Sequence, residues 1–147
     1  MLLELAYEMR HEIKESKYDG LNPEDYELTW IEAYFQTFEA NKKSKHPNEP
    51  GDLAAVDLLL SHAFFQLSKD LEVGKVDPSQ LKGKWEIERK GSRIDHFALL
   101  KKAVDENDIR RNLQSLYPKF TIYKPSREVI RSLEQKSKED SLDWKTL

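Results

Sequence analysis

Between Asp52 and Gly74 lies the most apolar stretch of the chain, and it decides the fold class. Leu53, Ala54, Ala55, Val56, Leu58, Leu59, Leu60, Ala63, Phe64, Phe65, Leu67 and Leu71 surround most of the circumference of a helix instead of forming one stripe. A helix apolar nearly all round is a buried one. A chain of 147 residues is one domain by length, with room for such a central element and shorter amphipathic helices laid against it.

The flanking sequence supplies those helices and their punctuation. Leu2, Leu5, Ala6, Met9 and Ile13 recur at three- and four-residue spacing and define one apolar stripe. Gly20 predicts a left-handed C-terminal cap, the conformation glycine adopts without strain. In Asn22-Pro23-Glu24-Asp25 an acceptor side chain, a proline that needs no N–H and two acids facing the positive end of the dipole predict a helix start. Thr29 with Glu32 reads as a capping box, opening a helix with Ile31, Tyr34, Phe35 and Phe38 on one face. The run Asn41 to Asp52 reads as a loop, with Asp52 capping the central helix and Gly74 closing it. Asp77-Pro78 begins a short turn toward Leu81 and Trp85, followed by a weak strand-like alternation to Lys90. A helix near Ile94 to Val104 turns Phe97, Leu100, Ala103 and Val104 inward. Asp108 caps a short helix through Leu116, stopped by Pro118. A last helix carries Tyr123, Ile130 and Leu133, and the tail from Lys136 is polar until Trp144. The expected fold is all-α: an irregular orthogonal bundle of six or seven helices around one buried central helix.

Composition removes several function classes. The chain has no cysteine, which excludes a disulfide framework, a thiolate metal site and a cysteine nucleophile. With 24 bases against 27 acids, no global field draws it to nucleic acid or anionic lipid, and no run approaches the roughly 20 apolar residues of a membrane span. The acid in Met1-Leu2-Leu3-Glu4-Leu5 does not suit a signal peptide. His11-Glu12 begins like a zinc-binding HExxH segment, but Glu15 stands where the second histidine belongs. His62 reads as a satisfied core histidine, while His46 and His96 read as solvated. Acid pairs such as Glu24-Asp25 and Glu139-Asp140, and the short basic runs at Lys42 to Lys45 and Arg110-Arg111, read as helix ends and solvated faces. A phosphate-cradling glycine loop and a nucleophile elbow are both missing from the sequence. From the residues alone this is a helical domain with no visible active site, cofactor or metal.

The punctuation is more distinctive. Gly20-Leu21-Asn22-Pro23-Glu24-Asp25-Tyr26 is followed by Asp57-Leu58-Leu59-Leu60-Ser61-His62-Ala63-Phe64, then by Asp70-Leu71-x-x-Gly74-Lys75-Val76-Asp77-Pro78 and Trp85. Leu99-Leu100-x-x-Ala103, Leu113-x-x-Leu116-x-Pro118 and Tyr123 complete the series. From about Leu5 to Leu133 this order and spacing resembles the helical scaffold domain of the multi-domain murein L,D-transpeptidases of Gram-negative envelopes. Trp144 looks like the tryptophan that family places where the scaffold gives way to a peptidoglycan-binding module.

The resemblance implies structural roles for Gly20, Leu21, Pro23, Tyr26, Ser61, Ala63, Phe64, Leu71, Gly74, Asp77, Pro78, Trp85, Leu116, Pro118 and Tyr123. It implies a helical scaffold domain over residues 1–135 and a polar C-terminal tail or linker over 136–147 toward a further module. In that family a separate domain carries a His and a Ser-His-Gly-Cys segment, whose thiolate attacks the stem peptide; those residues map onto no position here. The implied partners are the catalytic and peptidoglycan-binding modules of the same polypeptide, with peptidoglycan itself as a further partner, and the implied location is the periplasm or cell envelope. A free-standing helical interaction protein of the cytoplasm is the alternative. A small hydrolase using His62 or His11 with a metal is a third reading.

Overall fold

A computed structural model describes residues 3–76 and 91–139. Six α-helices and two short 3-10 turns form the described chain, with no strand among the described residues. In order they are α1 (Leu3–Glu15), the turns Ser16–Asp19 and Pro23–Tyr26, α2 (Leu28–Ser44), α3 (Pro50–Val73), α4 (His96–Asp105), α5 (Ile109–Gln114) and α6 (Tyr123–Glu139). The all-α architecture therefore holds. Leu2, Asp77, Pro78, Leu81, Trp85, Asp140, Trp144 and the alternation up to Lys90 lie outside the described residues.

α3 is the central element, packed against α1, α2 and α4, with α5 bridging α1 and α4. Its inner side buries Val56, Leu60, Ala63, Phe64, Leu67 and Leu71 against Leu5, Met9 and Ile13 of α1 and Ile31, Phe35 and Phe38 of α2. The expectation that α3 is covered all round is corrected on its outer side. Leu58 is 72% exposed and Leu53 45%, and His62 is exposed, not a core histidine. The packed neighbours leave the outer side of α3 open, where Leu58 is largely uncovered and Leu53 partly so among the described residues. Phe97 is likewise turned outward on α4, which packs through Leu99, Leu100, Ala103 and Val104.

Gly20 takes the left-handed conformation, φ 76° and ψ 16°, as the cap of the turn Ser16–Asp19. Asn22 accepts from the Glu24 N–H, with Pro23 at the first position, so the predicted start is real, although it opens a 3-10 turn of four residues. The expected Thr29–Glu32 capping box does not form. Glu24 has already taken that role: its Oε2 accepts from the Thr29 N–H (3.3 Å) and hydroxyl (2.6 Å). Glu32 instead receives both arms of Arg10 at 2.7 Å and Lys14 at 2.7 Å, clamping α1 to α2. The expected loop from Asn41 to Asp52 is also shorter than its composition suggests. α2 continues to Ser44, where Lys42 and Lys43 face the negative end of the helix dipole. Pro50, well suited to the first helical position, opens α3 two residues before Asp52.

The Arg10 hydrogen bonds, with Lys14, hold the Glu32 carboxyl down at about 2. The folded value lies below the unfolded one, so this contribution is complete above pH ~4.3 and is lost as the pH falls toward about 2. The stability difference between the parent and a Glu32→Gln variant, measured by urea unfolding, is therefore expected to shrink steadily from pH 5 to pH 2. A difference that does not change with pH would show that the clamp contributes nothing through charge.

Candidate functional site

Six of the motif residues meet at one place. A half-open cleft of about 320 Å³ is lined by Gly20 and Leu21, by Leu71 and Gly74 at the end of α3, and by Pro118 and Tyr123 from the chain entering α6. Asp19, Asp70, Glu72, Lys75 and Val76 complete its wall. The two glycines make it possible for three chain segments to turn here. Gly74 has φ 78° and ψ 156°, a region essentially confined to glycine, so α3 stops and its chain swings away where a left-handed cap would have curled it back.

The other motif residues support the cleft from behind. Tyr26 is fully buried and donates its hydroxyl to Asp70 Oδ2 at 2.9 Å. Ala63 and Phe64 are core, Leu116 packs against the core, Pro23 opens the second 3-10 turn, and Ser61 is half-buried on α3. Asp77, Pro78 and Trp85 belong to the residues outside the description.

Asp19 on this wall ties the cleft to charged and aromatic groups behind it. Asp19 accepts from the Tyr123 hydroxyl at 2.5 Å and lies 2.8 Å from Arg127 Nε, with side-chain exposures of 4% for Asp19 and 11% for Arg127. Burial raises the Asp19 carboxyl above its ordinary range, against the opposing pull of Tyr123 and Arg127. Burial, reinforced by the carboxylate each accompanies, also pushes the phenols of Tyr26 and Tyr123 up. They stay protonated and act as donors. The Arg127 guanidinium lies 4.9 Å from the Tyr117 ring, which itself contacts Tyr123 at 5.3 Å.

A second cluster adjoins the first. His96, at the start of α4, is within 2.9 Å of buried Ser68 through Nδ1 and 2.9 Å of Ser92 through Nε2, with Glu72 Oε2 at 3.2 Å. Glu72 also accepts from the Ser92 hydroxyl (2.6 Å) and the Arg93 N–H (2.8 Å). Burial would raise the Glu72 carboxyl, but these donors and His96 bring it below the usual range. The expectation that His96 is solvated is thus corrected: it fastens the segment before α4 to α3. His46 is exposed as expected; of the His11-Glu12 pair, which the sequence puts on an exposed polar face, His11 is exposed but Glu12 is buried against Arg110, which it meets at 2.7 Å. No group of three or more metal-ligating side chains occurs among the described residues, and no described helix is long and apolar enough to cross a membrane.

Sequence reasoning missed Arg127 and Asp19 altogether. Neither belongs to a local pattern, and their partnership spans more than a hundred residues, so no spacing rule could have joined them. The signal for His96 was slightly better: a histidine just after the capping Asp95 faces the last turns of the preceding helix.

The fold and cleft define a helical module in which Asp19, Asp70, Glu72 and His96, the polar groups at and beside the cleft, tie its own elements together. A protein-family model described as a scaffold domain matches residues 1–129, most of the chain, and the protein belongs to that family. No curated protein and no solved structure matches it.

Proposed function

We propose that the chain is the non-catalytic positioning domain of a murein L,D-transpeptidase, holding catalytic and wall-binding modules of the same polypeptide in the cell envelope during peptidoglycan cross-linking. The observation that carries the reading is membership of the scaffold family over residues 1–129, together with the L,D-transpeptidase order of motif residues. That order is given a physical basis by the cleft where Gly20, Leu21, Leu71, Gly74, Pro118 and Tyr123 converge. The acyl-enzyme route needs a thiolate, and with no cysteine in its sequence the chain's part in the reaction is to place a neighbour that has one.

Two measurements test this. The purified chain, incubated with disaccharide-tetrapeptide and followed by mass spectrometry, is expected to give neither cross-linked dimer nor released terminal residue. Mixed with a purified L,D-transpeptidase catalytic module, it is expected to associate and to raise the melting temperature of that module, as domains sharing an interface do. Absence of association would sink the assignment and favour a free-standing interaction domain. Product from the chain alone would overturn its non-catalytic character.

A further inference from the structure

α6 is amphipathic, yet it meets the rest of the molecule with its polar side. Ile122, just before it, is 72% exposed, and on it Val129 and Leu133 are 55% and 60% exposed. Ile130, which the sequence places on the same helix as Tyr123 and Leu133, is also 43% exposed. The side turned inward carries Tyr123, Arg127, Arg131 and Glu134. Tyr123 is the α6 residue packed against the core among the described residues. Beyond it the contacts are ionic or polar and fall mainly on the turn Ser16–Asp19 and the end of α1. Glu134 accepts from Lys17 Nζ and from the Tyr18 hydroxyl, both at 2.7 Å. Arg131 pairs with Glu15, and its guanidinium lies 4.7 Å from the Tyr18 ring.

These contacts divide into an inner and an outer set. The Asp19–Arg127 pair is nearly buried and is screened little by salt. The outer partners are 22–38% exposed: Glu15, Arg131, Lys17 and Glu134. Charges so exposed lose about half of their contact attraction, and nearly all of their longer-range attraction, once the screening length falls from ~10 Å at 0.1 M salt to ~3 Å at 1 M. The part of α6 from Glu128 to Glu139 is about three turns long, a length at which an undocked helix is marginal in water, so release and loss of its hydrogen bonds go together.

We infer that α6 from Glu128 onward is a charge-latched arm, pivoting on Tyr123 and Arg127 and leaving the body as a unit while α1 to α5 stay folded. The family match ends at residue 129, so the latch lies where the chain passes out of the scaffold proper. The arm is a property of this chain alone and does not depend on the identity of any neighbouring module.

Hydrogen exchange on the whole chain tests it. Between about 0.05 M and 1 M NaCl, amides from Val129 to Lys138 are expected to lose about tenfold or more in protection, while those from Leu60 to Leu67 change less than about twofold. Glu15→Lys and Arg131→Glu are each expected to lower α6 protection at low salt, and the double reversal to restore most of it, with the α3 amides reporting that each variant is folded. Salt-independent α6 protection, equal loss in α3 and α6, or a double reversal as unprotected as the single ones would each overturn the proposal.

Discussion

Replacing Phe64 by Ala is expected to lower the unfolding free energy by about 3–5 kcal/mol. Phe64 is fully buried at the middle of α3, where α1, α2 and α4 all reach that helix. Truncation removes the largest apolar group of that layer and leaves a cavity. Helices held at several points along their length relax into such a cavity only in part, so the cost includes the cavity as well as the lost transfer energy. Leu58, six residues earlier and 72% exposed, is the control: Leu58→Ala is expected to change stability by no more than ~0.5 kcal/mol. Urea unfolding of both variants checks the orientation of α3. Equal losses would mean that the helix is rotated from the position described.

Gly74→Val is expected to cost about 1–3 kcal/mol. Space is not the cause, because a Cβ added at Gly74 would meet nothing within 4 Å. The cost is conformational: φ 78° with ψ 156° places a side chain against its own backbone, and a β-branched residue suffers most. Gly74→Ala should show a smaller loss in the same urea series. The ordering Val > Ala is the signature of backbone strain, and its reversal would point to a packing defect.

The sequence was most legible where one residue's chemistry decides a local conformation. Gly20, Asn22 with Pro23, and Asp108 each do in the structure what their covalent geometry requires. The stripe Leu5, Ala6, Met9, Ile13 was equally readable because three- and four-residue spacing directly becomes a helix face. Legibility failed where the deciding partner was remote. The Thr29–Glu32 pattern was sound locally, but Glu24 reached Thr29 first and Arg10 claimed Glu32. All-round apolarity of α3 was taken for all-round burial, whereas burial depends on how many neighbours exist. For α6 the sequence names the helix and its apolar residues Ile130 and Leu133 but not which side meets the body, because ion pairs from Arg127, Arg131 and Glu134 to Asp19, Glu15 and Lys17 set its azimuth. The cleft combined both regimes: its glycines could be named from sequence, but the pairing of its Asp19 with the remote Arg127 could not.

The tie between the first helix and the fifth governs how such a chain can come off a ribosome. Glu8 accepts from the Ile109 N–H at 2.9 Å, and Glu12, 5% exposed, takes Arg110 Nε at 2.7 Å, across 101 and 98 residues of sequence. Until those late residues have been synthesised, the carboxylates have no such partners and Met9 and Ile13 lack the apolar wall that Ile109 and Leu113 provide. Loop closure over so long a span must precede the contacts that reward it. At elongation rates of ~5–20 residues per second, the N-terminal helices wait several seconds for their counterpart. Docking of α5 onto α1 is thus a late step, and over that interval the apolar α3 segment is the part of the nascent chain with most to gain from a chaperone.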